Sequence, residues 1–172
     1  VMLHAGVCVP RQYARFCGIV RGAKTRKFFA KLVRLGMASI YDCRHNRARI
    51  YHVTQRALYA AIGEADSTFR RRMSINRAIQ RLMILDAIVE DPDLVWLATA
   101  EDKAAHLTAI TSMAPADLPH AVVGEGDAQQ VRSFPDRLPI GINLGGRGVL
   151  VYVFSEPELN DFRMFLERHA AV

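Results

Sequence analysis

The chain has 172 residues, 51% apolar and 23% charged, which suffices for one ordinary domain or two small ones and is too apolar for disorder. No apolar run approaches the ~20 residues that cross a bilayer, which excludes a helical membrane span. Three cysteines, Cys8, Cys17 and Cys43, with no signal peptide ahead of them, point away from a disulfide-stapled secreted fold and toward the cytoplasm. The opening Val1-Met2-Leu3-His4 lacks a leading methionine, which suggests a fragment.

The formal charge of +6 divides unevenly. Residues 1–81 hold 17 Lys and Arg against three acids, a net of +14, whereas residues 82–172 hold six against 14, a net of −8. Clustered cations bind polyanions by releasing counterions from a phosphate backbone, so the first half reads as a nucleic-acid-binding surface. The competing reading is a basic surface with no partner.

In chain order, residues 11–17 form a short helix stopped by Gly18, and residues 22–35 a second one with Gly36 as a left-handed cap. The piece between them has the length of a helix-turn-helix turn. On the second helix Phe28, Phe29, Leu32 and Leu35 share one face, expected in the core, while Lys24, Lys27, Lys31 and Arg34 share another. No acid interleaves with these bases, as it would on an ordinary solvated helix. Arg21, Thr25 and Arg26 near its start are placed to reach base edges or phosphates. Residues 37–41 and 48–53 read as two strands of a hairpin whose basic connection carries Arg44, His45 and Arg47, with Arg49 on the returning strand. Thr54 caps a further short helix, 55–62, ended by Gly63.

The stretch 11–63 resembles a bacterial winged helix-turn-helix domain. Arg11-Gln12-Tyr13-Ala14 matches the start of the first motif helix, residues 31–38 (KLVRLGMA) the exit from the recognition helix, and residues 50–54 (IYHVT) the returning wing strand. More narrowly, it is similar to the replication-relaxation proteins of plasmids and integrated mobile elements. The resemblance covers about the first third of the chain and implies duplex DNA binding without implying any particular operator.

Cys8, Cys17, Cys43 and His45 lack the paired close spacing of a zinc site and are read as ordinary thiols and a polar hairpin residue; no metal or cofactor is expected. Residues 69–89 predict a long helix opened by Arg70-Arg71-Arg72, with an apolar stripe of Ile75, Ile79, Leu82, Leu85 and Val89. It is either a core helix or a dimerisation helix for two half-sites. Asp91-Pro92-Asp93 marks a boundary where the charge reverses. Beyond it, Thr99-Ala100-Glu101-Asp102 caps a helix reaching about Leu107, residues 114–119 form a linker, and residues 121–123, 130–134, 138–143 and 149–154 predict strands. Ser155-Glu156-Pro157-Glu158 caps a final helix, 157–169, with Leu159, Phe162, Phe165 and Leu166 on its buried face.

The glycine-rich run 141–148 lacks the Lys-Ser/Thr of a P-loop and reads as a hairpin turn. Asp136 and Glu156, each beside a proline, suggest a decayed metal-dependent nuclease, but no lysine follows Glu156 at the usual spacing.

The expectation is therefore an α+β protein in three parts. Residues 1–66 form a winged helix-turn-helix domain, 67–91 a linking or dimerisation helix, and 92–172 an acidic α+β domain with antiparallel strands. Its expected role is sequence-specific binding of double-stranded DNA as a cytoplasmic homodimer without enzymatic activity, in transcription or in replication control of a plasmid or mobile element. The alternatives are a nuclease or nicking accessory targeted by the first domain, and a protein-interaction module.

Overall fold

The computed structural model describes all residues except 44–47, 112, 125, 127–128, 136–137, 154–158 and 171–172. It is α+β with small antiparallel sheets and divides into two compact units, Val1–Asp91 and Pro92–Val172. Residues 67–91, expected as a separate linking part, lie within the first unit.

The first unit opens with a two-residue strand, β1 (Val7–Cys8), followed by helix α1 (Pro10–Phe16). Pro10 occupies the first helical turn, where its missing N–H costs nothing. After a connection come helix α2 (Ala23–Arg34) and the hairpin of β2 (Ala38–Asp42) and β3 (Arg49–Val53). The exit from α2 follows from Gly36. With φ at +65° it reverses the chain, so that Gly36 N–H donates to the Val33 carbonyl and Met37 N–H to that of Leu32. Strand order is β1-β3-β2, all antiparallel, with Val7 opposite His52 and Tyr41 opposite Ile50. Helix α3 (Arg56–Ala60) then leads through a 3-10 turn (Thr68–Arg70) to α4 (Ile75–Glu90).

Helix α4 starts later than the apolar periodicity predicts. Ser74 is its cap, its hydroxyl accepting from Arg77 N–H, and the backbone ahead of it has tertiary partners. Met73 N–H donates to the Tyr41 hydroxyl, and the Phe69 carbonyl lies 2.7 Å from His52 Nε2. Arg70, Arg71 and Arg72 therefore precede the helix and do not form its first turn. The face α4 buries is Ala78, Arg81, Leu85, Ile88 and Val89, whereas Ile75 and Ile79 of the expected stripe are exposed, as is Met83.

The core of the first unit joins Val7, Cys8, Phe29, Ile50, Ala78, Leu85 and Val89, so α4 is an integral wall. Three residues of α1 bind it. Gln12, almost wholly buried, donates from Nε2 to the Leu82 carbonyl at 2.8 Å, and Arg11 and Arg15 pair with Asp86 and Glu90. The spacing of four on each helix brings the two ion pairs into one ladder. On the other side, Phe29 stacks on Tyr51 at 4.2 Å between centroids and meets Tyr13 edge-on at 5.3 Å, which fixes α2 against both α1 and β3.

The second unit contains a sheet of β4 (Val95–Leu97), β7 (Ile140–Ile142) and β8 (Gly148–Leu150) in the order β4-β7-β8, and a hairpin of β5 (His120–Val123) and β6 (Gln130–Ser133). Strand β4 was not expected from sequence, and β7 and β8 are shorter than expected. Helix α5 (Ala100–Thr111) is capped reciprocally. Asp102 N–H donates to Thr99 Oγ1 and Thr99 N–H to Asp102 Oδ2, each at 3.0 Å, and the helix extends past Leu107. Gly141 stands opposite Trp96, and an added Cβ would lie 3.0 Å from the indole. The run 145–148 closes the β7–β8 hairpin, with Arg147 N–H donating to Asn143 Oδ1. Helix α6 (Leu159–Arg168) buries Phe165, but Leu166, expected beside it, is half exposed. Its expected capping residues, 155–158, lie outside the described residues.

Candidate nucleic-acid interface

The first 41 residues contain no acid, and Asp42 at the end of β2 is the first. Helix α2 carries the consequence. Lys24, Lys27, Lys31 and Arg34 are all exposed, and none has an ion-pair partner among the described residues. At about 100° per residue they span roughly 80° of the helix, opposite Thr25 and Phe29. Exposed Ala23 and Ala30 lie together beyond the Arg34 edge of this stripe.

Two expectations for α2 need correction. Thr25, expected to reach bases, is 1% exposed and belongs to the inward face. Phe28 and Leu35, expected in the core, are partly exposed, Phe28 stacking on Tyr13 at 4.9 Å. The inward face is Thr25, Phe29 and Leu32, so the helix is rotated from the orientation that hydrophobicity alone predicts. The rotation comes from Tyr13 and Tyr51, which clamp Phe29 from two sides.

Arg21, just before α2, and Arg26, in its second turn, are exposed and without a partner among the described residues. Arg49 on β3 is exposed and pairs with Asp42 across the hairpin at 3.4 Å, a solvated contact that a phosphate can displace. Arg44, His45 and Arg47 lie outside the described residues. Arg11 and Arg15 of α1, by contrast, are engaged with Asp86 and Glu90. Arg11 and Arg15 thus join α1 to α4, whereas the basic residues of α2 have no ion-pair partner among the described residues.

Burial pushes the Cys8 thiol up to about 12, Cys17 is exposed and Cys43 intermediate. Among the described residues no cluster of three His, Cys, Asp or Glu could hold a metal, and no helix is long and apolar enough to cross a membrane. Asp136 and Glu156, the acids of the nuclease alternative, lie outside the described residues. No family model, curated protein or solved structure matches this chain.

Proposed function

We propose that the first unit binds double-stranded DNA as a winged helix-turn-helix module, with α2 in the major groove and the β2–β3 hairpin against the backbone. The observation that carries this reading is the exposed cationic face of α2, whose Lys24, Lys27, Lys31 and Arg34 have no ion-pair partner among the described residues in a stretch where no acid precedes Asp42. An exposed helix about 18 Å long fits the major groove, and four unneutralised cations on one side match its phosphate walls. Lys24 and Lys27, toward the N-terminal end, face bases; Lys31, Arg34 and Arg49 face phosphates.

The role that follows is that of a cytoplasmic, non-enzymatic DNA-binding protein in transcription or in replication control of a plasmid or mobile element. Of the apolar stripe on α4, Leu85 and Val89 belong to the core, Ile75 is exposed, and exposed Ile79 and Met83 line a cavity described below. Selection of bound sequences from random duplexes, followed by titration of the enriched site, tests the proposal. Enrichment of one motif over scrambled duplex supports it, and recovery of unenriched sequences overturns it.

A further inference from the structure

An open cavity of about 910 Å³ lies in the first unit between the start of α2, the hairpin strands and α4. That volume is in the range of small-molecule sites, roughly 300–1,000 Å³. Its two walls differ in chemistry. On one side are Arg21, Arg26 and the first turn of α2, whose cap residue Gly22 offers no side chain to the free amides. On the other are Ile79, Leu82 and Met83 of α4, with Ile79 43% and Met83 49% exposed. Among the described residues Asp86 is the one acid lining the cavity. Arg11 holds its Oδ2 at 2.8 Å, and its buried Oδ1 has no hydrogen-bond partner, so the side open to an acidic head is that of Arg21 and Arg26, away from it. Thr25 also lines the cavity, 1% exposed, and its Oγ1 has no hydrogen-bond partner. A buried hydroxyl left unpartnered beside an uncapped helix start is a polar demand that the chain itself does not meet.

A duplex phosphate would answer the cations but leave the apolar wall in water. An organic anion uses both walls. We infer that this cavity binds an organic anion, its acidic head held by Arg21, Arg26 and the first turn of α2, its apolar body against Ile79, Leu82 and Met83. Its occupancy withdraws Arg21 and Arg26 from DNA, a consequence that rests on the proposed function, whereas binding itself does not.

The test is a fluorescence titration of the full chain with 8-anilinonaphthalene-1-sulfonate and with uncharged N-phenyl-1-naphthylamine. The expected result is one saturable sulfonate site, weakened about tenfold or more in the Arg21→Ala/Arg26→Ala double variant, with the uncharged dye unaffected by that change. Met83→Ser, at an exposed position, weakens both dyes, preserves duplex affinity and abolishes displacement of duplex by the sulfonate. Circular dichroism melts confirm that each variant is folded. Absence of a saturable site, or binding indifferent to both variants, overturns the inference. So does a dimer in sedimentation that Met83→Ser dissociates while the dyes find no site, which gives the face to a second copy. A chain that keeps this dye signature but binds no duplex supports the cavity and overturns the DNA reading.

Discussion

His52 Nε2 lies 2.7 Å from the carbonyl oxygen of Phe69, and this contact ties the hairpin to the segment that leads into α4. The nitrogen donates, which leaves Nδ1 to accept from the Tyr41 hydroxyl at 3.2 Å; that hydroxyl in turn accepts from Met73 N–H. The neutral imidazole satisfies every group in this chain, and an imidazolium does not. Burial, with Arg81 nearby, holds the His52 pKa below its ordinary 6.5 despite the Phe69 contact. A folded-state value below the unfolded one means that the unfolded chain takes up the proton first. The contribution of His52 is therefore intact above about 6.5 and lost as pH falls from there through the depressed folded value. Thermal unfolding at pH 7.5 and 5.5 should show a destabilisation on acidification that His52→Gln reduces. An equal loss in both proteins would exclude His52 as its source.

Gly6 is held with φ at +71°, and a Cβ there would lie 2.7 Å from the Phe69 carbonyl oxygen and 3.0 Å from the Tyr59 hydroxyl. Both the conformation and the space require glycine. Gly6→Ala is expected to cost about 2–4 kcal/mol in denaturant unfolding, strain and overpacking adding together.

Arg81 is buried on α4, donates from Nη1 to the Ala5 carbonyl at 3.1 Å and lies 4.2 Å from the centre of the Phe69 ring. Replacing it by alanine removes a charge-assisted hydrogen bond, a cation–π contact and packed methylenes. Arg81→Ala should cost about 2–4 kcal/mol, and Arg81→Lys, which cannot cover the ring in the same way, should recover only part of this.

If, as proposed, the stripe and hairpin together contact about six phosphates, log K should fall against log salt with a slope near −5. A slope near zero would remove the electrostatic mechanism.

Substitutions within the interface should separate reading from positioning. Lys24→Ala or Lys27→Ala is expected to cost about 1–3 kcal/mol on the preferred site and relax its sequence preference. Arg49→Ala should weaken all duplexes alike and lower the salt slope by about one unit. Titrations on preferred and scrambled duplexes at two salt concentrations decide between these outcomes. A change of specificity in Arg49→Ala alone would make the hairpin the reader and α2 the support.

Local chemistry alone determined much of the first unit. Helix α2, its stop at Gly36, the hairpin strands and the absence of acids beside the cations are all legible because they depend on neighbouring residues: helical period, a left-handed glycine, strand alternation. Only tertiary structure decided which faces turn inward. Two residues, Val7 and Cys8, become a strand solely because β3 offers its edge, and Thr25 turns inward because Tyr13 and Tyr51 seize Phe29 beside it. Residues 71–73 stay out of α4 because Ser74 caps the helix and Met73 bonds to Tyr41, and the polar Arg81 enters the core because the Ala5 carbonyl and Phe69 ring receive it. Each of these outcomes depends on a partner many residues away. A residue's own hydrophobicity cannot encode such a partner, so the composition of the cavity and the rotation of α2 and α4 emerge only when the elements pack.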